Sequence, residues 1–143
     1  MRSSIFPDVN VWLALNYSLH VHSRAAVEWY SGQETSSALV FCRNTQLGLF
    51  RLLSTVAVMA EEVLSQPQCW QIFDRWIDSG QATFAPEPSG MESVLRAHTR
   101  LNSASPKVWA DAYLAAFAET AGLTLVTFDR ALAGQVKNAI LLS

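Results

Sequence analysis

Apolar residues along this chain fall into two kinds of run, and the two kinds alternate. Short continuous runs (SIF at 4–6, SALVF at 37–41, ATFA at 82–85, LTLVTF at 123–128 and AILL at 139–142) have the length and β-branched content of buried strands. Between them apolar positions recur with helical period. Val11 and Leu15 pair within VNVWLAL, and HSRAAVEWYS runs to a stop at Gly32. Leu47, Phe50 and Leu53 share a face of TQLGLFRLLS, while Trp70, Phe73, Trp76 and Ile77 share one over residues 66–79, before Gly80. The same reading predicts helices over residues 90–101 and 107–121, the latter ending at Gly122, and a short helical piece after Asp129. Residues 54–65 carry no clear period. Strands alternating with helices require crossover connections, so the expected fold is α/β: a central parallel sheet with helices on both faces. No repeat, linker or low-complexity tract interrupts residues 1–143, which read as one domain.

Composition narrows the class without naming a partner. At 143 residues the chain supports one core and not two. Half the residues are apolar and 15% are charged, which excludes a disordered or fibrous chain. The net charge of −2 removes the basic excess typical of a general nucleic-acid binder, although a local patch of Arg and Lys remains compatible with it. Cys42 and Cys69 are too few for a disulfide framework and lack zinc-ligand spacing, so they read as buried thiols in a reducing compartment. The opening MRSSIFPDVN has no apolar leader, and no run approaches the roughly 20 apolar residues of a membrane span. A soluble cytoplasmic protein, away from the membrane, is the expectation.

The chemistry lies in three aspartates at the junctions of these runs. Asp8 follows the first strand, Asp129 follows LTLVTF, and Asp111 falls in the opening turns of the helix over 107–121. In an open parallel sheet, groups at the carboxyl ends of strands gather near the point where strand order reverses. Three carboxylates collected there would repel one another, and a hard divalent cation relieves that repulsion through oxygen ligands. Each residue also has an ordinary explanation. Asp8 and Asp129 can cap the helices that follow them, and Asp111 can be a first-turn acid facing a helix dipole.

FPDVNVWLAL, CRNTQLGLFRLL, DAYLAAFAETAGLTLV and TFDRAL, in this order and spacing, resemble the PIN-domain family, and within it the VapC-type toxin ribonucleases. The resemblance covers nearly the whole chain. It implies a three-layer α/β/α sandwich, cleavage of RNA with Mg²⁺ or Mn²⁺ held by Asp8, Asp111 and Asp129, and inhibition by a cognate antitoxin, with homodimer formation. Asn10 matches a polar residue that supports the first aspartate, and Thr127 a hydroxyl beside the last. The family usually carries a Glu at the start of the third helical segment. Here Gln46 is assigned to that place, which leaves open one metal or two and implies that Gln46→Glu should raise cation affinity.

Other residues carry weaker signals. Arg43, Arg51, Lys107 and Arg130 flank the predicted site and are candidate phosphate contacts, with solvated surface charge as the alternative. His20 and His22 form an H-x-H pair without a third ligand, and His98 reads as solvent-exposed. The five tryptophans fall mostly at apolar-face positions, where burial accounts for them better than base stacking. WQIFDRW and RAAVEWY could present a groove to a partner's helix. Two competing functions remain: a PIN-like domain that binds RNA or protein without cutting, motivated by Gln46, and a phosphatase of the haloacid dehalogenase type. The latter needs D-x-D where this chain has Asp8-Val9-Asn10.

Overall fold

The structure is a computed structural model that describes residues 4–34 and 36–143. Five strands, β1 (Ser4–Pro7), β2 (Ala38–Phe41), β3 (Ala82–Phe84), β4 (Thr124–Thr127) and β5 (Ala139–Leu141), form one sheet in the order β3-β2-β1-β4-β5. Every neighbouring pair is parallel. Winding proceeds outward from β1 in one direction through β2 and β3, then resumes on the other side with β4 and β5. The reversal therefore falls between β1 and β4.

Because successive side chains on a strand point to opposite faces, each central strand feeds two cores. Phe6, Val40 and Leu125 pack on one face with Leu114, Phe117 and Leu132. Those residues come from α7 (Val108–Ala121) and α8 (Arg130–Ala133), and α6 (Met91–Ala97) packs against the same cluster. Ile5, Leu39, Phe41 and Val126 pack on the other, under α1 (Val9–Asn16), α3 (Arg43–Leu53) and α5 (Gln66–Asp78), with α2 (Ser23–Ser31) laid against α1. This is the expected three-layer arrangement. On the second face Trp12 stacks on Phe41, centroids 3.7 Å apart, and meets the edge of Trp76 at 5.2 Å. Trp76 Nε1 donates to Asn16 Oδ1 (2.8 Å), tying α5 to the end of α1.

The structure departs from the sequence reading in several places. The helix expected over 90–101 stops at Ala97, because Thr99 folds its hydroxyl back onto the Leu95 carbonyl and Leu101, 84% exposed, has no core to enter. Gly32 ends α2 without left-handed backbone (φ −82°), so a glycine there is not conformationally required. The unassigned stretch 54–65 contains α4 (Val56–Met59) and a 3₁₀ turn (Ala60–Glu62), with Ala60 itself at φ 50°. Trp70 and Trp109 are exposed rather than buried, and His98 is half-buried beside Glu119 (3.1 Å) rather than free in solvent. Among the described residues, no helix is long and apolar enough to cross a membrane.

Candidate active site

Asp8 leaves β1 with extended backbone and begins α1. Its N–H donates to the Val126 carbonyl (3.0 Å), which ties it to β4, and its Oδ1 accepts from Val11 N–H (2.9 Å) as the helix cap. Its Oδ2 accepts the hydroxyl of Thr127, the last residue of β4. The same Thr127 Oγ1 accepts from Asp129 N–H (2.9 Å). Asp129 in turn caps α8, its Oδ1 accepting from Ala131 (2.9 Å) and Leu132 (3.2 Å). Capping and site formation are thus not alternatives: the caps fix the carboxylates at the edge where β1 and β4 meet.

A cleft of about 260 Å³ opens there. Asp8, Asn10, Asp111 and Asp129 line it, with Asn44 and Arg51 from α3 and Ala110 and Leu114 from α7. Burial pushes the Asp8 carboxyl above its ordinary value; the Thr127 and Val11 hydrogen bonds oppose that rise, while the charges of Asp129 and Asp111 add to it. Asp111, half-buried, is also raised, first by burial and then by Asp129, with Lys107 opposing. The three aspartates therefore feel one another's charge.

Two assignments need revision. Gln46 does not line the cleft. It is 1% exposed, and its Oε1 accepts from Arg43 Nη1 (2.6 Å). Helical geometry explains this: Asn44 and Arg51, seven residues apart, share the face that reaches the cleft, whereas Gln46 and Arg51 cannot. Asn44 is the residue that sequence reasoning missed, and its spacing from Arg51 was the available signal. Arg43, committed to Gln46 and to the ring of Phe84 (4.6 Å), is likewise turned to other work. Arg51 lines the cleft, and Lys107 lies close enough to act on Asp111. His22 stacks on Phe128 (4.3 Å), and its N–H donates to His20 Nδ1 (3.0 Å), so the pair has a packing role.

Among the described residues, no three His, Cys, Asp or Glu side chains are drawn together as a ready ligand set for a metal ion. The donor chemistry nonetheless fits a hard cation. Three carboxylates share one cleft, two of them hold raised pKa values, and the opening leaves room for the waters that Mg²⁺ characteristically retains.

An all-parallel, doubly wound sheet with an acidic cleft at its switch point defines a class of α/β protein that binds ligands beyond the strand ends. A family model for the PIN domain matches residues 5–136. The chain is 41% identical over 128 residues to Ribonuclease VapC41 of Mycobacterium tuberculosis, covering 87% of this chain and 88% of that one. It is 32% identical over 134 residues to Ribonuclease VapC29 of the same organism, covering 91% and 89%. Among solved structures, the fold matches Mycobacterium tuberculosis VapC20, described as a sarcin-ricin loop cleaving toxin, at a TM-score of 0.63 and 14% identity, covering 91% of this chain and 93% of that one. It also matches VapBC2 from Rickettsia felis bound to a DNA fragment from their promoter, at a TM-score of 0.59 and 13% identity, covering 96% of each. The chain belongs to the PIN-domain family, in its VapC-type branch.

Proposed function

We propose that this chain is a metal-dependent endoribonuclease, the toxin of a toxin–antitoxin pair. One observation carries the reading: Asp8, Asp111 and Asp129, distant in sequence, line a single cleft in a chain 41% identical to a named VapC ribonuclease. Mg²⁺ or Mn²⁺, if bound there, would supply Lewis acidity to an attacking water and to the phosphoryl oxygens. Asp8, Asp111 and Asp129 are the oxygen donors that would hold it. Thr127 positions two of them through its paired hydrogen bonds. Asn10 and Asn44 offer neutral amides on the cleft wall, and Arg51 offers a guanidinium to a backbone phosphate.

In the hydrolysis, a water oxygen forms the new bond to phosphorus, the bridging P–O bond breaks, and the departing oxygen takes a proton. RNA is the substrate, and the partners are a cognate antitoxin and a second copy of the chain, all within the cytoplasm. The reading of a PIN-like domain that binds without cutting loses its main support, since Gln46 lies outside the cleft.

Induced expression in a bacterial host with mapping of new RNA 5′ ends tests the proposal. Wild type should generate discrete new ends. Asp8→Asn should generate none while remaining folded. Equal cleavage by both proteins would remove Asp8 from the reaction.

A further inference from the structure

Beside the acidic cleft lies a second, larger concavity of about 330 Å³, within the range of roughly 300–1,000 Å³ typical of small-ligand sites. Its wall includes Leu101, Ser103, Ser105 and Pro106 from the loop between α6 and α7, with His98 at the end of α6 and Trp109 in the first turn of α7. The two hollows share a partition. Val108 and Trp109 line this one, and the next two residues, Ala110 and Asp111, line the acidic cleft. They are separated by one helix, about 10 Å across, short enough for neighbouring nucleotides of one strand to straddle.

Trp109 is 62% exposed, and nothing in the core explains an indole there. Leu101 across the hollow is 84% exposed. A large aromatic face left open beside hydroxyl groups suits a flat, partly polar ring better than an aliphatic side chain. Lys107, two residues before Trp109, acts electrostatically on Asp111, so it brings positive charge to the same end of α7, within reach of a linking phosphate.

We infer that the hollow bounded by Trp109 is a nucleobase subsite: an unpaired base of the RNA strand next to the cleaved phosphate stacks on the Trp109 indole. The inference deepens the ribonuclease reading and rests on it. Stacking selects for single-stranded RNA, because a base inside a duplex has no free face to offer.

The test uses the full chain carrying Asp8→Asn, so that RNA is bound without being cut. Binding of a fluorescein-labelled, mixed-sequence single-stranded RNA oligonucleotide is followed by anisotropy, with an abasic oligoribonucleotide of the same length as control. Trp109→Ala should weaken RNA binding about tenfold and leave abasic binding unchanged. Trp109→Phe should keep most of the affinity, and melting temperatures should stay equal because residue 109 is at the surface.

Equal RNA affinity in the presence and absence of the indole would overturn the subsite. So would a loss accompanied by conversion of a dimer to a monomer in size-exclusion chromatography, which would assign Trp109 to a contact between copies. If the parent protein neither binds RNA with Trp109 intact nor cuts it with Asp8 restored, the ribonuclease reading falls as well. Cleavage by wild type together with indifference to Trp109→Ala removes the subsite alone.

Discussion

Thr127 is fully buried, and its single hydroxyl donates to Asp8 and accepts from Asp129 N–H. Replacing it by the near-isosteric Val leaves both partners without that oxygen in a buried setting. Each unsatisfied group costs about 1–3 kcal/mol, so chemical denaturation of Thr127→Val should show a loss of at least about 1 kcal/mol together with a large fall in RNA cleavage. Thr127→Ser should keep most of both. Gln46 leads to a different outcome from the one its place in the sequence suggests. Buried against Arg43 and away from the cleft, Gln46→Glu should pair with that guanidinium. Calorimetric titration with Mn²⁺ should therefore show unchanged affinity, and a gain would return position 46 to the metal site.

At the scale of elements, α1 and α3 approach so closely that a β-carbon on Gly48 would sit 2.7 Å from Val9 Cγ2. Valine is β-branched and cannot swing aside easily, so Gly48→Ala must push the two helices apart. The gain in helix propensity, about 1 kcal/mol, opposes this overpacking, which typically costs about 1–3 kcal/mol. A net loss of up to about 2 kcal/mol is expected in urea denaturation, with reduced cleavage because α1 carries Asn10 and α3 carries Asn44 and Arg51 into the cleft. Adding Val9→Ala should restore both readouts.

Most strands and long helices were legible from period alone, since β2 and β4 are buried on both faces and α5 and α7 hold their pattern over several turns. The helix over 90–101 was overestimated because Thr99 competes for its last carbonyls, a local bond that periodicity does not register. Asp8 and Asp129 were legible because each follows a strand end, and Asp111 because it falls where a long apolar helix begins. Asn44 was not, because a neutral amide in a first turn carries no distinguishing pattern until helical phase is counted from Arg51. The exposure of Trp109 was hidden for a related reason: a tryptophan on an otherwise apolar helix looks the same whichever way it faces.

For the whole molecule, the acidic cleft should link stability to pH and, on the metal-dependent reading proposed above, to cations. Asp8 and Asp111 have folded-state pKa values raised above the ordinary 3.8. The native state therefore holds their protons more tightly than the unfolded chain does. Stability from this source is full below pH 3.8 and is lost as pH rises through the raised folded values. Asp8→Asn removes one such group, so it should gain stability relative to wild type across that window, measured by denaturation at stepped pH. Mn²⁺ should act in the opposite sense, stabilising wild type by about 2.7 kcal/mol when present at 100 times its dissociation constant, and stabilising Asp129→Asn far less. Equal stabilisation of both proteins would place the ion elsewhere.

The hydrogen bond from Thr127 to Asp8 joins residues 119 positions apart, and Asp129 lies beyond it. A ribosome must therefore carry the growing chain past position 129 before the first and last of these aspartates can meet. Any shorter nascent chain lacks one wall of the acidic cleft.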